Sequence, residues 1–201
     1  MEPIDAFRDL LLSLADIYSQ EGREGGNAIA DAYRIGAETV EPTPCPRYDA
    51  MEMAILSATE RATHRAAIAA RRAHAVLPWS RTGILDEQIG KDVSSVFAVA
   101  TLVGPGALIE RKNVRGGLYV QRSGAFYPPH AHDAEETYAM LAGNADWQMD
   151  FGDWHRADPG DLIHHPSEAP HATRTGALPI LAAWRWSGDI SPATYRMVTN
   201  G

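Results

Sequence analysis

Cysteine and positive charge are both scarce in this sequence. A single cysteine, Cys45, cannot form an internal disulfide and excludes zinc sites built from paired cysteines. The chain has 18 Lys and Arg against 26 Asp and Glu, which gives a formal net charge of -8. Because nucleic acids and anionic membranes are bound by clustered positive charge, we expect neither as a partner.

Long apolar runs are missing as well. Runs such as residues 96–103 are far shorter than the ~20 residues that a membrane-spanning helix needs. The chain starts Met-Glu-Pro-Ile-Asp, without a basic segment ahead of an apolar stretch, so we expect no secretory signal. With 45% hydrophobic residues there is enough apolar surface for a folded core. We therefore expect a soluble cytoplasmic protein that is a monomer or a homodimer.

Residues 1–80 are predicted to form a helical segment that caps the rest of the chain. Apolar residues recur at spacings of three and four in one stripe, made of Ile4, Phe7, Leu11, Leu14 and Tyr18. Glycines at 22, 25 and 26 are expected to end this first helix, and residues 27–37 to form a second. After three prolines in residues 41–46, Asp49 is expected to cap a long helix that runs to Arg72.

Residues 81–201 have the sequence pattern of a β-barrel. Short apolar runs alternate with glycine and proline turn signals, which is typical of an antiparallel sandwich or barrel rather than of βαβ units. Strands are predicted near residues 96–103, 117–122, 135–141, 145–151, 161–164, 169–174 and 179–186. The fold class is therefore mainly β with a helical N-terminal segment.

Six of the eight histidines fall between residues 130 and 171. His130 and His132 are two apart, a spacing that places both on one face of a strand, and Glu136 and Tyr138 share that parity. Four buried polar groups without partners would be very costly. A divalent cation resolves this cost, because it binds neutral imidazole nitrogens and a carboxylate together. His171 follows after two or three strands, so the chain can return it to the same site.

The spacing of these residues resembles the two sequence motifs of the cupin superfamily. Gly124, His130, His132, Glu136 and Gly143 match the first cupin motif at every spaced position. The stretch from Gly160 through Pro166 to His171 resembles the second motif, although Glu168 stands where glycine is usual and Thr175 where asparagine is usual. More narrowly, the run from Tyr127 to Tyr138, the Pro170-His171 pair, the strand Trp184-Arg185-Trp186 and the helical N-terminus resemble the bacterial cupin-type dimethylsulfoniopropionate lyases.

The resemblance implies a cupin barrel, that is, a double-stranded β-helix or jelly roll. It implies cleavage of dimethylsulfoniopropionate to dimethyl sulfide and acrylate by β-elimination. The metal would be one divalent ion, Zn²⁺ first and Fe²⁺ or Mn²⁺ as alternatives, held by His132, Glu136 and His171. His130 would be a fourth ligand or orient one. The tyrosine that matches Tyr138 is assigned as the base in that family, so the resemblance implies that Tyr138 is the base, a metal ligand or both.

The sulfonium group of such a substrate needs a wall that tolerates a cation, which aromatic faces supply. We expect Tyr119, Tyr127, Trp184 and Trp186 to bind substrate. Arg185 alternates with the two tryptophans and is expected to point away from the pocket. The remaining histidines are predicted to have supporting roles: His164 and His165 in a loop or beside a ligand, His155 in solvent, and His64 and His74 in solvent or at helix caps.

Three other functions stay open at this point. The same ligands suit an iron-dependent dioxygenase or another oxidoreductase. A non-catalytic cupin could bind a small molecule as a sensor or store. A related lyase could eliminate a different substrate.

Overall fold

The computed structural model describes residues 2–82, 84 and 86–200, and six α-helices lie in this part of the chain. They are α1 (Pro3–Ser19), α2 (Glu24–Thr39), α3 (Glu52–Thr59), α4 (Arg65–Arg72), α5 (Asp86–Ile89) and α6 (Lys91–Ser94). The apolar stripe predicted for the first helix is confirmed, since all its members except Ile4 are fully buried. Among the described residues no helix is both long and apolar enough to cross a membrane.

Eleven strands in the described residues form two antiparallel sheets. One sheet has the order β1-β2-β3-β10-β5-β8 and the other β11-β4-β9-β6-β7. The strands are β1 (Trp79–Ser80), β2 (Phe97–Val103), β3 (Val114–Gln121), β4 (Phe126–Ala131), β5 (Ala134–Ala142), β6 (Ala145–Met149), β7 (His155–Ala157), β8 (Leu162–His165), β9 (His171–Thr175), β10 (Ile180–Gly188) and β11 (Arg196–Met197). The mainly β cupin fold with N-terminal helices is thereby confirmed.

All seven predicted strands are present, with ends within three residues of those expected. The strands β1, β4, β7 and β11 were not predicted. β4 contains Pro128 and Pro129, which cannot donate to a sheet ladder, and the pairing of β4 with β9 shifts register between Tyr127 and His130. Prolines are tolerated at such irregular positions of a sheet. Because residue types alone argue against a strand that contains two prolines, β4 was not predicted.

The six-stranded sheet is buried on both faces, by different kinds of residue. Its outer face packs small aliphatic side chains such as Ala98, Ala100 and Ala183 against the helices. Its inner face carries aromatic residues, among them Tyr119, Trp184 and Trp186, into a second core between the sheets. Alternation along each strand thus separates a helix-covered face from an aromatic interior. The division into two parts at residue 80 stays a prediction.

The prediction that the glycines at 25 and 26 end the first helix is wrong, because both lie inside α2. The connection contains Gly22, which adopts a left-handed φ of +76° that glycine accepts without strain. A β-carbon at Gly25 would lie 2.3 Å from the hydroxyl oxygen of Ser187 in β10. Glycine is therefore needed there because α2 approaches the sheet closely.

The prediction of one long helix from Asp49 to Arg72 is wrong. The chain forms α3 and α4 instead, and α3 begins at Glu52 without a side-chain cap from Asp49. α3 contacts β3 and β10, whereas α4 contacts α1, so the chain must bend between them. At the bend, Nδ1 of His64 accepts a hydrogen bond from the backbone N–H of Ala66 at 3.2 Å and caps α4. The expected capping role of this histidine is confirmed.

The cap at His64 predicts a pH-dependent loss of stability. Burial lowers the pKa of His64 below its ordinary value near 6.5. The unfolded chain therefore takes up a proton before the folded chain does, and stability falls as the pH drops below about 6.5 toward the folded-state pKa. A helix N-terminus also disfavours the positive charge. Denaturant unfolding at pH 8 and pH 5.5 measures this effect.

The variant His64→Asn keeps a cap but has no proton to gain, so its stability should decline less between the two pH values than that of the wild type. His64→Ala should lose about 1 kcal/mol at pH 8, where the cap is intact in the wild type. An identical decline in the wild type and in His64→Asn would contradict this explanation.

Candidate metal centre and pocket

Two consecutive strands and the reversal between them carry the polar residues of the site. His130 lies in β4, which ends at Ala131, His132 lies in the reversal, and Glu136 and Tyr138 lie in β5. The prediction that these four groups point the same way is confirmed, because all four line one cavity. The reversal after β4 was not predicted, and it brings the two pairs together from different sheets.

His171 and His165 come from strands farther along the chain. In the sheet register, His171 of β9 lies opposite His130 of β4. His165 of β8 lies opposite Glu136 of β5. The two sheets therefore deliver histidines to the same interior region from both sides.

Three of the predicted ligands form a compact buried group. One donor atom from each of His132, Glu136 and His171 lies within 4.8 Å of the others, and each residue is 2% exposed. The Nε2 atoms of His132 and His171 lie 3.1 and 3.2 Å from the same Glu136 oxygen, Oε2. This group has the residue types and the size of a site for one divalent ion.

The backbone fixes which nitrogen of each imidazole faces this group. Nδ1 of His132 lies 3.0 Å from the carbonyl oxygen of Ala134, and Nδ1 of His171 lies 2.9 Å from that of Ala169. A carbonyl oxygen only accepts, so both Nδ1 atoms carry hydrogen. In neutral rings the Nε2 lone pairs then point at the Glu136 carboxylate. Three acceptors that face one another repel, and a shared cation, either a proton or a metal ion, relieves this repulsion.

The Glu136 carboxylate is held ionised. Burial by itself raises its pKa, but the hydrogen bonds and positive charges of His132 and His171 in their protonated forms outweigh burial and lower the pKa well below its usual range. Its second oxygen, Oε1, accepts a hydrogen bond from Nε1 of Trp186 at 2.7 Å. Trp186 therefore orients the carboxylate so that Oε2 faces the histidines.

His130 lies beside this group without belonging to it. Its ring centroid is 4.1 Å from that of His171, and its Nδ1 lies 2.8 Å from the carbonyl oxygen of Pro128. Burial and the neighbouring charge of His171 lower its pKa well below the ordinary value, so the ring is neutral. Its role as a fourth ligand or as an orienting residue stays a prediction.

A cavity that is open at one side leads to these residues. All four aromatic residues predicted to bind substrate line it: Tyr119, Tyr127, Trp184 and Trp186. The Tyr119 hydroxyl donates to Gln121 at 2.8 Å, and Trp184 Nε1 donates to the Leu118 carbonyl at 3.2 Å. The polar atoms of Tyr119 and Trp184 are thus bonded within the protein, and the ring of Tyr127 stacks on those of His130 and Phe97.

Tyr138 lies on the same wall with its ring buried among aromatic neighbours. Its centroid is 4.6 Å from that of Trp147 and 5.5 Å from that of Tyr119. Burial raises its pKa well above the ordinary 10, and the Glu136 charge raises it further. Without a cation nearby, its hydroxyl is therefore protonated at neutral pH.

One residue of this region was missed by sequence reasoning. Tyr195, between β10 and β11, lines the cavity, and its hydroxyl lies 2.8 Å from that of Tyr127. No motif indicates it, because it comes from the C-terminal segment that folds back onto β4.

His165 takes the second of the two places predicted for it. It lies in β8 and stacks on His171, a predicted ligand, with centroids 4.0 Å apart, rather than in a loop.

The outer face of β5 and β10 carries a separate ionic cluster. Arg185 points away from the cavity, as predicted, and bonds the carboxylates of Glu21 and Glu135. Glu21 also accepts a hydrogen bond from Thr137 at 2.6 Å. Glu21, Glu135 and His164 have the spacing of a cation site, but the Arg185 guanidinium already pairs with both carboxylates. The cluster therefore ties the α1–α2 connection to β5.

A family model for dimethylsulfoniopropionate (DMSP) lyase matches residues 25–182. The chain belongs to the DMSP lyase family. The DMSP lyase DddQ of Ruegeria pomeroyi is 34% identical over 190 residues, which cover 94% of this chain and 92% of the relative.

Solved structures of DMSP lyases have the same overall fold. A crystal structure of DddQ from Ruegeria pomeroyi matches 93% of both chains with a TM-score of 0.65 and 29% identity. A chain from the crystal structures of the DMSP lyases RdDddP and RnDddQII matches 98% of this chain and 100% of its own length. Its TM-score is 0.71 at 21% identity, a likeness of fold alone.

The two departures from the second cupin motif are accommodated in this member of the DMSP lyase family. Glu168 adopts a left-handed φ of +65°, the conformation that glycine would supply. Its N–H donates to the carbonyl of His132 at 2.9 Å. The Thr175 hydroxyl accepts from the N–H of Ala125 at 3.0 Å, so the turn remains bonded. Neither departure removes a donor from the metal group.

Removal of one donor is expected to abolish metal binding. His132→Ala and Glu136→Gln each leave two of the three converging groups, and the Gln variant also removes the negative charge. We expect metal content per chain, measured by elemental analysis after dialysis, to fall at least about tenfold in both variants. Full occupancy in either would contradict the assignment.

His155→Ala is the matched control for these variants. His155 lies exposed on β7, outside the buried group, so its loss should leave metal content unchanged. A fall in this variant as well would indicate that the protein binds metal elsewhere.

Proposed function

We propose that this protein is a metal-dependent carbon–sulfur lyase that cleaves DMSP to dimethyl sulfide and acrylate. Membership of the DMSP lyase family and the 34% identity to DddQ support the substrate. The Nε2 atoms of His132 and His171 converge on one Glu136 oxygen. This convergence supports the proposed metal dependence, because a cation between these acceptors stabilises them.

The resident metal is proposed to be one divalent ion, with Zn²⁺ first and Fe²⁺ or Mn²⁺ as alternatives. His132, Glu136 and His171 would hold it, and His130 would be a fourth ligand or orient His171. When bound, such an ion supplies Lewis-acid stabilisation to a substrate carboxylate. The hydrogen bonds from Nδ1 to backbone carbonyls and from Trp186 to Glu136 keep these side chains in place before substrate arrives.

Tyr138 is proposed to be the base. Its hydroxyl oxygen, as phenolate, takes a proton from the carbon beside the substrate carboxylate. The electron pair of that C–H bond forms the C=C bond of acrylate, and the C–S bond breaks with its electrons on sulfur, which leaves as neutral dimethyl sulfide. The proton passes from Tyr138 to solvent. Burial and Glu136 raise the pKa of Tyr138, so the base role requires the cation that the histidine group would hold.

The aromatic wall supports the other end of the substrate. The rings of Tyr119, Tyr127, Trp184 and Trp186 face the cavity. A sulfonium is a cation without hydrogen-bond donors, and each well-placed ring contributes roughly 0.5–2 kcal/mol to its binding. These faces would hold the dimethylsulfonio group while the carboxylate lies toward the metal.

The decisive experiment measures dimethyl sulfide above a solution of the purified protein with DMSP. We expect release with at least one of Zn²⁺, Fe²⁺ or Mn²⁺ and no added oxidant, measured by gas chromatography of the headspace. No release with any of the three would exclude DMSP as substrate. Oxygen consumption with substrate would favour a cupin dioxygenase, and saturable binding without turnover a small-molecule-binding cupin.

The variant Tyr138→Phe tests the base. It removes only the hydroxyl, so we expect kcat to fall by about 10²-fold or more while metal content stays at the wild-type level. Steady-state kinetics and elemental analysis measure both quantities.

Tyr33→Phe is the matched control for this variant. Tyr33 is fully buried in the helical core, and its hydroxyl has no hydrogen-bond partner among the described residues. Its loss should leave turnover unchanged. Near-normal turnover in Tyr138→Phe would place the base on another residue.

A further inference from the structure

One arginine, Arg115 on β3, lies on the wall of the cavity and has no role in the proposed reaction. The sheet register pairs it with Trp186 of β10 and pairs Trp186 with Glu136 of β5. Alternation along β3 places Arg115 on the same face as Tyr119, and both line the cavity. With strands about 4.8 Å apart, two strand spacings put the Arg115 and Glu136 backbones only ~10 Å apart.

Arg115 is a cation without a counter-ion. Among the residues that the structure describes, no acidic side chain forms an ion pair with it, whereas Arg185 bonds two carboxylates and Arg174 pairs with Asp146. It is half-buried, and burial lowers its pKa without any opposing contribution from an acidic neighbour. A partly desolvated and unpaired guanidinium is unfavourable by itself and attracts an anion.

The backbone directs this side chain. A β-carbon at Gly104 would lie 3.0 Å from Cγ of Arg115, so the aliphatic part of the arginine packs where Gly104 has no side chain. Gly104 has a φ of +139°, which side-chain-bearing residues rarely adopt. Gly104 therefore leaves space for the aliphatic part of Arg115, whose side chain lines the cavity.

We propose that Arg115 binds the carboxylate of the substrate and makes the cavity selective for small carboxylates. The identity of that carboxylate as DMSP rests on the proposed function, but the class of ligand rests on the unpaired charge. A guanidinium donates to both oxygens of a carboxylate, and each oxygen has more than one lone pair. One carboxylate can thus contact Arg115 and still offer an oxygen toward Glu136 and its histidines.

Arg115 also orients a zwitterion. Its positive charge repels a sulfonium, so a molecule with a carboxylate at one end and a sulfonium at the other is favoured with the carboxylate toward Arg115. The sulfonium is then left to the aromatic faces of the same cavity. Arg115 is therefore a substrate-binding residue that selects one of two orientations.

The test compares binding of propionate and of its neutral analogue propionamide to the metal-loaded protein by calorimetry. We expect the wild type to prefer propionate, and Arg115→Met to lose about tenfold in propionate affinity with little change for propionamide. Arg115→Lys should lie between them, because lysine keeps the charge without the forked geometry. For DMSP turnover, KM should rise more than kcat falls.

Arg111→Met is the matched control. Arg111 lies four residues away, is not among the residues that line the cavity, and its side chain donates to the carbonyl of Glu110. The Arg111→Met variant removes the same charge and should leave the affinities for propionate and propionamide unchanged. Arg115→Gln serves as a second variant if Arg115→Met does not fold.

The outcomes separate this proposal from the proposed function. Equal propionate affinity in the wild type and in the folded Arg115 variants, or no preference of the wild type for propionate, overturns the role of Arg115 even if dimethyl sulfide is released. Arg115-dependent propionate binding without dimethyl sulfide release supports the carboxylate site and rejects DMSP as substrate.

Discussion

The convergence of two imidazole nitrogens on one carboxylate oxygen is the constraint around which the barrel is organised. The Nδ1 atoms of His132 and His171 each bond a backbone carbonyl, so their buried Nε2 lone pairs and the Glu136 carboxylate meet as acceptors. Such an arrangement is unfavourable alone and is resolved by a shared cation. The strand reversal after β4 and the hydrogen bond from Trp186 to Glu136 both serve to maintain it.

The helices stabilise the strand that carries this site from its other face. Along β5, Glu136 and Tyr138 point inward, while Glu135 and Thr137 point outward to the connection between α1 and α2. The hydroxyl of Tyr18 in α1 adds a hydrogen bond to the carbonyl of Thr137. Because both faces of one strand are bonded, displacement of the helices would also displace the Glu136 carboxylate.

The cavity is asymmetric in charge, and this asymmetry matches a zwitterion. Seven Phe, Tyr and Trp side chains line it, whereas Arg115 supplies a positive charge that has no ion-pair partner among the described residues. The proposed metal, the phenol of Tyr138 and the arginine would together act on the carboxylate end. The sulfonium end requires only surface that tolerates a cation.

Residue type and spacing by themselves determined the fold class, the seven main strands and the identity of the candidate ligands, because barrel alternation and donor chemistry are local properties. The break between α3 and α4, the strand through Pro128 and Pro129, and the placement of Tyr195 were decided by tertiary structure. Each depends on a partner distant in sequence: α1 for α4, β9 for β4, and the barrel mouth for the C-terminal segment. The unpaired state of Arg115 belongs with them, since whether a charge has a counter-ion depends on which chain segments fold around it.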